Sequence, residues 1–257
     1  MTFDPWTPVR AAIAACLLGV AAIASAADPQ PGIPGKDVVL IPTPQALVDR
    51  MLDMARLVPG DELVDLGSGD GRTVITAARR GARATGIEYN PELVEFARRN
   101  AISAGVGERA RFEKADIFES DFSRATVVTL FLLPSLNLKL RPRLLALRPG
   151  TRIVSNSFTM GEWQEDEKQN VPRDAGCDSG WCTAYLWIVP ARFDGTYRTP
   201  HGEFVLEQAF QMLSGTLKSD AGSVEVSGRV RGEEAFFTAG GRAFHVRRSG
   251  DRLDFLP

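Results

Sequence analysis

"ELVDLGSGDGRTVI", Glu62 to Ile75, runs from an apolar strand through a glycine-rich turn and straight toward a helix. Turns of that kind face a nucleotide-like ligand at the start of an α/β unit. The segments on either side keep the alternation. Upstream, Thr43 is expected to cap a helix with Pro44 at its first position, and Val48, Met51, Leu52 and Ala55 form its apolar stripe until "VPGD" breaks it. Downstream, Arg72 to Arg80 reads as helix and Ala84 to Ile87 as strand, and Asn90 with Pro91 opens the helix "ELVEFARRNAISAG". "ARFEKAD" is a third strand and "ATVVTLFLL" a fourth. Leu140, Leu144 and Leu147 mark a further helix, and "TRIVSNSF" is a fifth strand. A polar insert, 161–180, then precedes "WCTAYLWIVP", a late strand of the same sheet. Continuous apolar strands between helices call for a mostly parallel sheet covered on both faces. The fold expected over residues 37–190 is therefore α/β, a doubly wound, Rossmann-like sheet.

After Pro190 the texture changes to short β-rich segments separated by Gly, Ser and Asp. Residues 191–257 are expected to form a small antiparallel all-β module, a meander curling toward a barrel or half-barrel. Its phenylalanines, Phe204, Phe210, Phe236, Phe237, Phe244 and Phe255, are assigned to its core. At the other end, residues 1–27 follow the grammar of a secretory signal. Arg10 precedes an uncharged run from Ala11 to Ala27, closed by Ala24-Ser25-Ala26, and "DPQPGIPG" supplies a linker across 28–36. The expected location is exported, periplasmic or secreted. The alternative is an uncleaved signal anchor, with membrane association through residues 11–27. Removing the signal takes Cys16 away and leaves Cys177 and Cys182 in "GCDSGWC", an even pair suited to a disulfide in an oxidising compartment.

The glycine turn decides the ligand. A dinucleotide site wants G-x-G-x-x-G with helix amides facing a pyrophosphate. Here Gly67, Gly69 and Gly71 fall as G-x-G-x-G, flanked by Asp65 and Asp70, and two carboxylates would repel a pyrophosphate. They suit a cofactor without phosphate that carries a sulfonium and an ammonium group, which describes S-adenosyl-L-methionine. Glu88 closes the second strand, where a carboxylate can accept both ribose hydroxyls, and Asp116 closes the third, where an acid can meet the adenine amino group. Other classes have less support. The net charge of −2 gives no reason to expect nucleic acid as a partner. The two histidines, His201 and His245, lack ligand spacing, so no metal is expected.

"LIPTPQALVDRML", "DLGSGDGR", "GIEYNPELVEFARRNA", the stretch from "ADIFESDF" to "RIVSNSF", and "YLWIVP" resemble the class I, seven-β-strand methyltransferases related to protein-lysine methyltransferases. That group has mitochondrial members and, more distantly, the non-SET histone-lysine enzymes. The resemblance spans about residues 38–190. It implies that Thr43 sits near the methionine end of the cofactor, with Gly67 and Gly69 beneath it, Glu88 on the ribose and Asp116 on the adenine. It implies an acceptor channel at Leu132, Leu133 and Pro134, with Phe131 standing where relatives are expected to carry an aromatic hydroxyl. Methyl transfer from a sulfonium is a direct displacement, so no general base is nominated and the catalytic residues stay unassigned. Asn137 is a candidate for orienting the acceptor by hydrogen bonding, set against an ordinary capping or loop role. The activity expected is protein-lysine N-methyltransferase-like, with a methyl-acceptor substrate such as a protein lysine. The alternative is an exported ligand-binding protein of the same fold without catalysis, its function carried by the β module.

Overall fold

The computed structural model describes residues 39–257, so the signal read at 1–27 and the linker at 28–36 lie outside the described residues. Helix α1 spans Gln45–Met54 and buries Leu47, Val48, Met51 and Leu52, the stripe its spacing dictates. Its N-cap is Pro44, with no side chain capping it. Thr43, expected in that role, is buried, and its Oγ1 instead accepts a hydrogen bond of 3.2 Å from Asn156 Nδ2. A buried amide donor claims the hydroxyl that the helix amides were expected to use.

Then come β1 (Glu62–Leu66), α2 (Arg72–Arg79), β2 (Arg83–Glu88), α3 (Pro91–Ser103), β3 (Ala110–Lys114), β4 (Val127–Leu130), α4 (Pro134–Leu145) and β5 (Arg152–Asn156). Asn90 caps α3 as its sequence implies, its side chain accepting from the Glu92 amide at 2.9 Å. The expected fourth strand, 125–133, shortens to the four buried residues of β4, because the chain must turn outward before Pro134 starts α4. The polar insert contributes a strand that its composition concealed, β6 (Glu167–Asn170), beside β7 (Thr183–Ile188). Its alternating half-buried and exposed residues mark it as a sheet edge.

The seven strands lie in the order β3-β2-β1-β4-β5-β7-β6. All pairings among the first five are parallel, while β7 runs antiparallel to both β5 and β6. One core, around Leu47, Leu52, Val74, Ala97 and Phe112, includes residues of α1, α2 and α3. A second, around Leu66, Leu130, Leu140 and Trp187, includes residues of α4. Cys177 and Cys182 are joined as a disulfide, with Cα atoms 5.8 Å apart.

The remaining strands are β8 (Gly195–Thr199), β9 (Gly202–Ala209), β10 (Met212–Ser219), β11 (Gly222–Arg231), β12 (Glu234–Ala239), β13 (Arg242–Ser249) and β14 (Arg252–Phe255). Each pairs antiparallel with its sequence neighbour, and β14 curls back against β8, giving the expected half-barrel. Phe204, Phe237 and Phe244 fill its core. Two of the phenylalanines assigned there behave otherwise: Phe236 is 43% exposed, and Phe210 packs with the first sheet. Among the described residues, no helix is long and apolar enough to cross a membrane.

Phe210 is part of the joint between the two sheets. It stacks on Trp163, with centroids 6.2 Å apart, and Trp163 also meets Trp187 of β7 at 6.2 Å. Nearby, Arg229 pairs with Asp166 at 2.7 Å, and Gln211 donates to the Gln164 carbonyl at 2.7 Å. Trp163 is fully buried between the two sheets. Truncating a buried tryptophan costs about 3–5 kcal/mol. Trp163→Ala is therefore expected to lower unfolding free energy by that amount in urea titrations; a loss under about 1 kcal/mol would show that this joint carries little stability.

Candidate active site

The strand order reverses beside β1, with β2 on one side and β4 on the other, so a crevice opens beyond the carboxyl ends of these strands. The glycine turn forms its floor. Gly67 and Gly71 both have positive φ, +82°, a conformation that side-chain-bearing residues avoid. A Cβ on Gly71 would also lie 2.7 Å from Phe112 and 2.8 Å from Ala97, so glycine lets α2 start hard against α3 and β3. A Cβ on Gly67 would sit 3.0 Å from Leu132 on the opposite wall of the crevice. The missing side chain keeps that space open.

Thr43, Asp65, Gly67, Gly69, Glu88 and Asp116, which the sequence places at separate points over 74 residues, all line this single cleft. Glu88 is buried, and its two carboxylate oxygens accept the backbone amides of Gly69 at 3.0 Å and Asn90 at 2.9 Å. A carboxylate oxygen has further lone pairs, so both can still accept ligand hydroxyls. Asp116 is half-buried and accepts the Phe118 amide at 2.9 Å. Asp70 also lines the cleft, but its carboxylate is engaged by Arg72 Nε at 2.9 Å and by the Arg72 amide at 3.2 Å. Arg72 in turn donates to the Thr43 carbonyl at 2.9 Å and so ties the segment before α1 to the turn.

Asp65 is the electrostatic centre. Burial pushes its carboxyl up to about 7, opposed by the Thr129 hydroxyl that donates to it at 2.7 Å and reinforced by the negative charges of Asp70 and Glu88. Arg72 answers Asp70, whereas Asp65 is met by a hydroxyl and Glu88 by backbone amides, an arrangement that favours a cationic ligand. S-adenosylmethionine fits the arrangement. It brings no phosphate, it carries positive charge for Asp65, and it brings hydroxyls within the acceptor chemistry of Glu88.

The acceptor side is only partly as expected. Phe131 and Leu132 line the cleft, whereas Leu133, 45% exposed, and Pro134, exposed at the start of α4, do not. Asn137 is fully buried and outside the cleft lining. Its Nδ2 donates to the Phe158 and Thr159 carbonyls, each at 3.3 Å, and so pins the loop after β5 instead of orienting an acceptor. Leu40, Ile41, Tyr89, Leu93 and Ile117 also line the cleft without having been singled out in the sequence. Tyr89 and Ile117 directly follow Glu88 and Asp116, and that adjacency was the available signal; Leu40, Ile41 and Leu93 had none.

Comparison with known proteins agrees with this geometry. Residues 65–167 match the family described as the ANTKMT methyltransferase domain. A protein-lysine N-methyltransferase from Saccharolobus islandicus is 41% identical over 155 residues, which is 59% of this chain and 94% of that protein. The adenine nucleotide translocase lysine N-methyltransferase of Mus musculus is 40% identical over 119 residues, 46% of this chain. The chain spans only about half of that enzyme's length, 52%. Among solved structures, an RNA methyltransferase from Salinibacter ruber in complex with S-adenosyl-L-homocysteine is 50% identical, with a TM-score of 0.55, covering 60% of this chain and 96% of that one. Near-complete coverage of two such proteins, together with an acid-lined cleft at the switch point of the sheet, has one reading: the chain belongs to the class I S-adenosylmethionine-dependent methyltransferases.

Proposed function

We propose that this methyltransferase modifies the ε-amino group of a protein lysine. The observation that carries the reading is the division of one cleft into two chemistries. Asp65, Glu88 and Asp116 line it at the ends of β1, β2 and β3, and Phe131 and Leu132 line it just past the end of β4. When bound, S-adenosylmethionine supplies an electrophilic methyl carbon: the lysine nitrogen lone pair forms the new N–C bond while the C–S electrons return to sulfur, leaving S-adenosylhomocysteine. The chain's own residues bind, orient and dry the site. Glu88 would accept ribose hydroxyls, Asp116 would receive the adenine edge, and Asp65 would offset positive charge. Phe131 and Leu132 would exclude water from the transfer, and the lysine ammonium would give its proton to solvent before its lone pair attacks. The names of the Saccharolobus islandicus and mouse relatives support a lysine acceptor. The Salinibacter ruber relative makes RNA the competing class, and the net charge of −2 speaks against a polyanion. We further infer that the enzyme works outside the cytoplasm, held there as an exported or membrane-anchored protein. The leader pattern at residues 1–27 and the Cys177–Cys182 bond support this, and the intact mass of the native protein would read leader removal directly.

Incubating the purified protein with methyl-labelled S-adenosylmethionine and cell-envelope protein or total RNA separates the acceptor classes. Label recovered as methyl-lysine after hydrolysis is the expected result, and label recovered only in nucleosides would overturn the lysine reading.

Glu88→Ala is expected to weaken S-adenosylhomocysteine binding ten-fold or more in calorimetry, since bonds to a charged acceptor are worth roughly 1.5–3 kcal/mol. It should also lower the melting temperature, because Gly69 and Asn90 lose their shared acceptor. Asp70→Ala should cost about 1 kcal/mol of stability and leave affinity within about three-fold, as its partners are Arg72 and the start of α2. Equal losses of affinity in the two variants would contradict this division.

The Asp65 carboxyl, raised to about 7 from an ordinary 3.8, gives a signed pH dependence. The folded protein holds a proton that the unfolded chain releases, so this group's contribution to stability falls as pH rises from about 4 through 7. A cationic ligand favours the ionised form. Cofactor affinity should therefore increase from about pH 6 to about pH 7.5 with proton release, and Asp65→Asn should flatten that rise. Calorimetry in buffers of different ionisation enthalpy measures both, and a pH-independent wild type would exclude Asp65 as the titrating group.

A further inference from the structure

Three neighbouring strands each deliver one aromatic ring to the same edge of the sheet. Phe131 follows the end of β4, Phe158 follows the end of β5, and Trp181 precedes the start of β7, which runs antiparallel to β5 with Asn156 opposite Ala184. The rings pack together. Phe131 lies nearly parallel to Phe158 at 6.1 Å, Phe158 meets Trp181 at 5.2 Å, and Phe131 meets Trp181 at 6.2 Å. Phe131 lines the cofactor cleft, and Trp181 is 38% exposed, so the cluster runs from the cleft wall to solvent. Elsewhere the protein covers ring faces with its own cations, as with Lys139 over Phe118 and Arg143 over Phe122. Among the described residues, no such cation lies over these three rings.

Trp181 is also held in an unusual way. Its neighbour Cys182 is bonded to Cys177, which is buried in the core beneath α1, and the Cys182 carbonyl accepts the Val171 amide at 2.9 Å. The loop between the two cysteines makes no strand or helix of its own. The disulfide is thus a covalent tie between the exposed indole and the interior.

We propose that Phe131, Phe158 and Trp181 form the platform on which the acceptor's alkylammonium side chain lies as it enters the cleft, and that the Cys177–Cys182 disulfide holds the Trp181 wall of that platform, so that acceptor binding, but not cofactor binding, depends on the disulfide. This rests on the lysine reading above. Four methylenes suit an apolar ring surface, and a cationic or newly methylated nitrogen is attracted to the ring faces within about 6 Å. The platform positions the acceptor and takes no part in bond making. Reduction leaves the fold's sheets paired and frees the segment that carries Trp181.

The test loads the purified protein with S-adenosylhomocysteine, then titrates N-acetyl-lysine methylamide while the indole N–H resonances are followed by NMR, with Trp181 assigned through Trp181→Phe. The Trp181 signal is expected to shift while those of buried Trp163 and Trp187 stay. Trp181→Ala should weaken probe binding about five-fold or more, Trp181→Phe should restore most of it, and the neutral norleucine analogue should bind less tightly than the lysine probe. The Cys177→Ser/Cys182→Ser variant, or dithiothreitol, should weaken the probe comparably, with S-adenosylhomocysteine affinity within about two-fold throughout as the check on folding. Intact cofactor binding with an unmoved Trp181 signal overturns the platform while leaving the methyltransferase reading standing. A double serine variant that binds the probe like the oxidised protein overturns the role of the disulfide. Wild-type protein that fails to bind S-adenosylhomocysteine overturns the functional reading and the platform with it.

Discussion

The Glu88 carboxylate, buried at the end of β2, reaches sideways to the amide of Gly69 and forward to the amide of Asn90. Those two bonds join three things the fold must bring together: the glycine turn after β1, the carboxyl end of β2, and the start of α3. Without them the turn's positive-φ glycines would be held mainly by Gly67 and Ser68 donating to the Ile87 carbonyl, at 2.9 and 3.1 Å, and by Gly71 donating to Ser68 at 2.9 Å. A charged acceptor bonded to two backbone amides in a buried position is stronger than any of these neutral contacts. The residue that shapes the site is therefore also one of the acids that line the cleft.

The same economy explains the acids around it. Asp70 is consumed by Arg72, and Arg72 by the Thr43 carbonyl, so the outer acid of the turn serves architecture. Asp65 has only a hydroxyl, Thr129, for company. Desolvated and facing two other carboxylates, it holds its proton at a pH where an ordinary aspartate would not. A cofactor with positive charge relieves that tension, whereas a pyrophosphate would add to it.

Much of this was legible in the sequence because it depends on local rules. Strand, turn and helix follow one another in Glu62–Arg79, Asn90 and Pro91 cap α3, and β4 is buried throughout because both its faces are covered. The acids at the ends of β1, β2 and β3 could be gathered into one cleft because parallel strands put their carboxyl ends at one edge. What stayed hidden depends on contacts between distant segments. Nothing near Thr43 announces that Asn156, 113 residues away, will take its hydroxyl. Nothing in "LPSLNLKL" shows that Asn137 will turn inward to the carbonyls after β5. Strand β6 is too polar to be recognised from periodicity, since it owes its place to an available edge on β7. The ring cluster escaped for the same reason: its members lie 27 and 23 residues apart in sequence and meet only through sheet order.

The two sheets differ in how far along the chain their partners lie. In the C-terminal meander every strand pairs with the one next to it, so each ladder closes a loop of a few residues. In the first sheet β1 must find β4, and the buried Asp65–Thr129 bond alone spans 64 residues. Loop closure over such a distance carries an entropic cost before any contact repays it, and chains rich in distant pairings fold more slowly. The meander can therefore assemble early and by itself, whereas the cleft forms only when the central strand has been flanked on both sides. The glycine turn, bonded to β2 at Ile87 and Glu88, is therefore among the parts of the molecule that acquire their shape only after distant strands have met.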